Sequence, residues 1–330
     1  MNETLRNRCE LFIKNRDIFK SAIKWESDYL YPICASVFTD RERLADSETV
    51  KDTRKMFKSR LGVFSNFRGS CELPIVAMLA ASDDPEKRLD DAIELYGGLK
   101  NHFFSSEFLP VAAMMLSDSV PTEKYGEICE RTRRIYDLMK KEHPFLTSSE
   151  DSVYAAMLAL SERSDAEIIA EVEICYAALK DKFHDRNALQ SLSFVLALAD
   201  DGVFTAKDRC RETARLFDIL KEKKNKYGTG YELATLGSLA TLPGGVEETA
   251  RDLIEVSDFL KTQKGYGFWG MAKTQRLLHA AMIVTSDRIG GSDAMSGAAV
   301  NGTLSMIASQ QAATCAAISV SIAATSAARS

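Results

Sequence analysis

Apolar residues recur along this chain at the spacing of an α-helix, in two alternating styles. In the first style they hold one face. Ile168, Ile169, Val172, Cys175, Tyr176 and Leu179 fall at i, i+1, i+4, i+7, i+8 and i+11, while Glu171, Glu173, Lys180 and Asp181 take the opposite face. Leu89, Ala92, Ile93, Tyr96 and Leu99 repeat the pattern, as do Ile128, Thr132, Ile135, Tyr136 and Met139. In the second style, "LPIVAMLAAS", "FLPVAAMMLS", "SVYAAMLALS", "LSFVLALAD", "LATLGSLATL" and "LLHAAMIVTS" are apolar on nearly every side. A helix apolar all round is buried all round.

The two styles alternate with a fixed period. "DAIELYGGLK", "RTRRIYDLMK", "EVEICYAALK", "ETARLFDILK" and "IEVSDFLK" end in Lys100, Lys140, Lys180, Lys221 and Lys261, which are 40 or 41 residues apart. Repetition at that period marks stacked supersecondary units. Each repeated aromatic and leucine is read as core, and each closing lysine as a complement to the negative end of its helix. Start signals agree: Asp84 precedes Pro85, and Ser148 with Asp151 and Ser164 with Glu167 spell capping boxes. No stretch alternates with the period of a strand.

The expected fold is therefore all-α. A lead helix near 3–22 and a degenerate hairpin around 28–60 precede hairpins at about 72–101, 107–141, 151–182, 187–223 and 231–262. A last unit starts near 272. Six to seven antiparallel hairpins with buried inner helices favour an α/α toroid over an open solenoid, whose concave face stays wet. The expected organisation is 1–62 as N-terminal helix and hairpin, 63–290 as repeats, and 291–330 as an uncharged C-terminal helix packed on the array.

Composition narrows function mainly by exclusion. The chain has 330 residues, 45% of them hydrophobic, and a net charge of −5. An acidic balance argues against nucleic acid as partner, because phosphate binding needs a basic face. Seven cysteines form no CxxC, and most fall inside apolar helical patterns, which points to a reducing compartment. The opening "MNETLRNRCELFIKNRD" has no apolar signal core, so the expected location is the cytoplasm.

Candidate chemistry is sparse. "GYGFWG", 265–270, spells GxGxxG, but a dinucleotide fingerprint requires a preceding strand, and none is expected. His102, His143 and His184 recur 41 residues apart, yet neighbouring repeats about 10 Å apart cannot bring all three to one ion. No metal and no cofactor are expected. Glu150 and Asp151 stand at the mouth of a buried helix, where a toroid would direct catalytic acids; helix capping explains them better. The loops after the one-faced helices carry Phe64 and Phe67, Phe103 and Phe104, Phe145, Phe183, Tyr227, and then Tyr266, Phe268 and Trp269. All emerge at one end of the array, where they cap inner helices or line a pocket; capping is favoured.

From Ala294 to Ala328 no residue is charged. The length would allow a membrane span, but its Ser, Thr, Asn and Gln content disfavours one. The expected place of this segment is against the array, or against another subunit, which makes 294–328 the candidate homo-oligomer contact.

"CELFIKNRDIFKSAIKW", "LGVFSNFRGS", "KKEHPFLTSSEDSVYAAMLAL", "GYGFWGMAKTQRLLHAAMIV" and "SQQAATCAAISVSIAA" together resemble the bacterial domain-of-unknown-function 4003 family. That resemblance implies a cytoplasmic, Firmicute-type protein and carries over no functional residues. "KTQKGYGFWG" and "SVYAAMLAL" are also similar to segments of prenyltransferase and terpene-cyclase toroids. The acidic DxDD and the Asp/Cys/His zinc set of those enzymes are absent here, so this similarity extends to the fold alone.

The functional expectation is a non-catalytic helical-repeat protein that binds a peptide, a protein or a small apolar ligand, with Tyr266, Phe268 and Trp269 as ligand-binding candidates. The alternative is an enzyme at the mouth of a toroid, with Glu150, Asp151 and His143 as catalytic candidates.

Overall fold

The computed structural model of the protein describes residues 1–106, 108–199, 204–230, 232–267 and 270–290. Among these the chain is all-α, with fourteen α-helices and no strand. In order they are α1 (Glu3–Ala22), α2 (Leu30–Thr39), α3 (Ser47–Arg60), α4 (Glu72–Ala80), α5 (Pro85–Lys100), α6 (Leu109–Ser117) and α7 (Tyr125–Glu142). There follow α8 (Ser152–Ala159), α9 (Asp165–Leu179), α10 (Arg186–Leu198), α11 (Ala206–Glu222), α12 (Leu233–Ala240), α13 (Gly245–Lys261) and α14 (Lys273–Gly290). The segment 291–330, with the expected C-terminal helix, lies outside the described residues.

The helices group into two compact units. One holds residues 15–38 and 44–169; the other holds 1–14, 39–43 and the described residues from 170 on, so α1 and α9 contribute to both. In the first unit α3, α5 and α7 lie side by side as an outer layer, and α6 packs on α8 within the inner one. In the second, α10, α12 and α14 follow one another as the inner layer and are backed by α11 and α13. Gly237 lets α12 approach α10 closely: a Cβ there would stand 2.8 Å from the Leu192 side chain.

Burial follows the two sequence styles. Every residue of α8 and of α12 is buried, and so are Leu109 to Leu116 of α6. Leu99, Met139, Leu179, Leu220 and Leu260 of the outer helices are buried, while their neighbours Lys100, Lys140, Lys180 and Lys261 are exposed. The six described cysteines are unbridged and buried, thiols serving as small apolar groups.

Helices of eight or nine residues do not hold together in water alone. Their surroundings must stabilise them, and their last carbonyls, buried with them, need donors. Arginines from the outer helices supply donors for the short α4 and α8, and do the same for the longer α2 and α10. Arg88 of α5 donates to the Met78 carbonyl of α4 and grips Asp118 with two nitrogens. Arg131 of α7 reaches the carbonyls of Ala159 (3.1 Å), Ser161 (2.5 Å) and Arg163 beyond α8, and pairs with Asp165. Arg209 of α11, only 2% exposed, donates to Leu196 of α10 (3.0 Å) and to Phe204 (2.6 Å), and pairs with Glu171. Arg8 of α1 donates to Thr39, the last residue of α2 (3.0 Å), and to Glu42 (2.7 Å). A planar guanidinium suits this task because several fixed donors diverge from one group.

In the second unit the first helix of the chain meets the last described one. The Phe12 ring lies 6.3 Å from the His279 ring of α14. Asp40, just beyond α2, is half-buried at this seam, and loss of solvent around its carboxyl pushes it up to about 6; the neighbouring Ser286 hydroxyl and the charges of Arg41 and Arg8 pull it the other way. Arg288 near the end of α14 bonds the Pro243 carbonyl at 2.6 Å and pairs with Asp252.

These contacts rank substitutions in an order that surface charge alone would not suggest. Arg209→Met removes the buried donor to the Leu196 and Phe204 carbonyls and the cation that pairs with Glu171, and is expected to destabilise by about 3–5 kcal/mol. Leu179→Ala should lose about 2–5 kcal/mol through lost burial, and Lys180→Ala well under 1 kcal/mol, the scale of a helix-end charge. Urea melts of the three variants check the order; an Arg209→Met protein as stable as the parent would remove the arginines from this role.

Candidate functional site

The outer helices of the first unit run parallel. The Leu95 carbonyl lies 3.9 Å from the Cys129 sulfur, and further along both helices the His102 carbonyl accepts from Arg133 at 2.8 Å. Asn15 is level with Ala45 (2.8 Å) and Glu26 with Arg54 (2.5 Å), so α1 follows α3 in the same sense. The loops after α1, α3, α5 and α7 therefore emerge at one end of this unit.

Each of these loops is anchored by polar or aromatic contacts. Phe67 is buried, edge-on to Tyr96 at 5.1 Å, and Asn66 donates to the Tyr96 hydroxyl (3.0 Å), to Ser105 (3.1 Å) and to the Ser106 carbonyl (3.1 Å). Phe103 stands edge-on to Tyr136 at 5.2 Å, with the Arg133 guanidinium over both rings. In the second unit Phe183 meets Phe217 in the same way, at 5.1 Å. The repeated helix aromatic is thus the seat for a loop aromatic of the preceding repeat.

A second set of aromatics points into water. Phe64 is 99% exposed, Phe104 97%, Phe145 99% and Trp25 95%. The three phenylalanines are 40 and 41 residues apart, at matching places in successive loops. Trp25 holds a φ of 71°, a left-handed conformation that bulky residues rarely adopt. The Tyr31 hydroxyl braces that turn: it donates to the Ile23 carbonyl at 2.8 Å and accepts from the Glu26 amide at 3.2 Å. Lys24, Lys100, Lys140 and Lys141 are exposed beside these side chains, and none forms an ion pair among the described residues. Capping, expected for all the loop aromatics, describes Phe67, Phe183, Tyr227 and Tyr266, which are buried. It does not describe Phe64, Phe104 or Phe145.

His143, Glu150 and Asp151 share the loop between α7 and α8. His143 ends α7; its amide donates to the Met139 carbonyl at 2.9 Å, and its own carbonyl accepts from Leu146 and Thr147. Asp151 is buried and forms a capping box with Ser148, whose amide donates to its carboxylate at 2.7 Å. Burial pushes the Asp151 carboxyl up to about 7 and raises that of the half-buried Glu150 as well. Tyr266, in the second unit, is fully buried, its hydroxyl 2.8 Å from Nδ1 of His279. Phe268 and Trp269 lie outside the described residues.

The described residues of the glycine-rich stretch, 265–267 and 270, lie between α13 and α14. Gly265 has a φ of 88°, its carbonyl accepts from Met271 at 2.9 Å, and a Cβ on Gly270 would collide with that carbonyl. Among the described residues no three His, Cys, Asp or Glu side chains gather to hold a metal ion, and no helix is long and apolar enough to cross a membrane.

The raised Asp151 carboxyl makes a pH prediction. Between about pH 4 and pH 7 the folded chain keeps a proton there that the unfolded chain releases, so this group's contribution to stability falls as pH rises. Asp151→Asn has no such proton and still offers a capping oxygen. Its stability relative to the parent is expected to climb from pH 4 to pH 8 in urea melts; a constant difference would refute the assignment.

Residues 16–312 match the family described as protein of unknown function (DUF4003). The uncharacterized protein YeaA of Bacillus subtilis (strain 168) is 22% identical over 211 residues, which are 61% of this chain and 63% of that protein. The chain thus matches less than two thirds of that relative's length. No solved structure matches. With nearly the whole helical array inside the matched range, the chain belongs to the DUF4003 family.

Proposed function

We propose that this protein is a non-catalytic helical-repeat binding protein whose contact surface is the loop end of its first unit. One observation carries the reading: Phe64, Phe104 and Phe145 are almost wholly in water at matching positions of successive repeats. A single exposed apolar residue is ordinary, but a grouped set marks an interaction site. The loops bearing Phe64 and Phe104 are fixed to one another by Asn66, so this part of the surface is formed before any partner arrives. Preorganisation of that kind spares the ordering entropy of binding.

The polar groups nearby support a binding role over catalysis. Asp151 is committed to the start of α8, and the His143 backbone closes α7. The proposed partner is apolar where it meets the aromatics. Its attachment is tested by immobilising the protein and the triple variant Phe64→Ser, Phe104→Ser, Phe145→Ser, and exposing both to extract of the native host with its membrane fraction included. The parent is expected to retain a component that the triple variant retains at least about tenfold less, a loss of 1.4 kcal/mol or more, with both proteins melting alike. Equal retention by the two would dispose of the reading.

A further inference from the structure

Resting on that reading, we infer that the partner is an anionic lipid bilayer, which the four aromatics enter at the level of the headgroups. The first argument is shape. Trp25, Phe64, Phe104 and Phe145 stand at the tips of four separate loops, each at least 95% exposed, so little of this unit lies alongside any of them. Protein and peptide hot spots occupy concave, water-excluding pockets. Protruding rings suit a partner that opens around them, and the boundary between headgroups and acyl chains does so to a depth of about 5–10 Å. Tryptophan is enriched at that boundary.

The second argument is charge. Lys24 adjoins Trp25, Lys100 precedes Phe104 by four residues, and Lys140 and Lys141 precede Phe145; all four are exposed. The whole chain carries −5, whereas here four exposed lysines, one of them (Lys100) over the Tyr96 ring at 5.7 Å, stand beside one exposed carboxylate without an ion pair, Glu142, among the described residues. Each lysine near an anionic leaflet strengthens attachment by roughly fivefold. Aromatic insertion and lysine attraction are the two contributions that reversible surface binding requires together.

The third argument is rigidity. Phe104 adjoins Phe103, held by Arg133 and Tyr136, Phe64 stands three residues before Phe67, held by Tyr96, and the left-handed turn at Trp25 is braced by Tyr31. A φ of 71° at a tryptophan stores strain. The fold gains no burial from that strain, since the side chain it directs is in water. Among the described residues no helix crosses a membrane, so this surface would hold the chain on a bilayer without spanning it.

Co-sedimentation with vesicles tests the inference on the full chain. Vesicles of phosphatidylcholine alone are compared with vesicles holding about one third phosphatidylglycerol, at low and high salt. The parent is expected to bind the anionic vesicles at least about tenfold better than the neutral ones, with the advantage lost at high salt. The variant Trp25→Ser, Phe64→Ser, Phe104→Ser, Phe145→Ser should lose binding to the anionic vesicles, and Lys100→Glu, Lys140→Glu, Lys141→Glu should lose the preference. Circular dichroism confirms folding, and Phe145→Ser alone serves if the fourfold variant fails to fold. The chain has two tryptophans, so in a Trp269→Phe background the emission of Trp25 should shift to the blue on anionic vesicles. Equal binding to both vesicle types would overturn the inference. So would a dimer of the parent that the aromatic variant loses, since the occupant is then a second copy of the chain. If vesicles are not bound but the extract component is still retained in a phenylalanine-dependent way, the lipid assignment falls and the binding surface stands. If neither is seen, both fall.

Discussion

Burying a short helix on every side leaves its final carbonyls with no water to accept from, and this fold answers that constraint four times with an arginine. Arg8, Arg88, Arg131 and Arg209 project from the outer layer and satisfy carbonyls at or just beyond the ends of α2, α4, α8 and α10. The outer helices are amphipathic enough to present a charged face to water, yet each sends one of its charges inward. The inner helices can then be apolar throughout, because their polar ends are handled by their neighbours. The guanidinium also meets a carboxylate each time (Glu42, Asp118, Asp165 or Glu171), so charge is not left bare in a low-dielectric setting.

The pattern of helices was open to reading because two periodicities coincide. The 3.6-residue period separates one-faced from all-apolar segments, and the 40-residue period assigns each to its layer. The Leu99, Met139, Leu179, Leu220 series sits buried as that pattern requires. The arginine caps have no such double period, since an arginine on a charged helix looks like any solvated cation. A signal was nonetheless present: Arg8, Arg88 and Arg209 are separated by 80 and 121 residues, whole multiples of the repeat. That signal is incomplete: the closing lysines keep the same period and are exposed, and Arg131 falls 43 residues after Arg88.

The loop aromatics show where sequence pattern stops short. Phe103 and Phe104 are adjacent and chemically identical, yet one ring lies against Tyr136 while the other is 97% exposed. Which of the two turns inward is decided by loop backbone and by the seat that Tyr136 and Arg133 build, and neither has a periodic signature. Trp25 has no sequence signature for a related reason: it sits in a left-handed turn that no glycine announces. His143, Glu150 and Asp151 could be placed at a helix mouth from sequence, but the capping box and the raised Asp151 carboxyl depend on how deeply that mouth is buried.

A repeat duplicates whatever its ancestor unit carried, and the physical demands on the copies then differ by position. At a buried position the demand is packing, and Leu99 or Leu179 answers it. At the loop tip the fold makes no demand at all: a phenylalanine 99% in water contributes no burial and exposes an apolar ring. Phe64, Phe104 and Phe145 are therefore the residues of this array for which folding provides the least reason. The proposed contact supplies a reason outside the folded chain, and the exposed lysines beside Trp25, Phe104 and Phe145 give the sign of charge that such a contact favours.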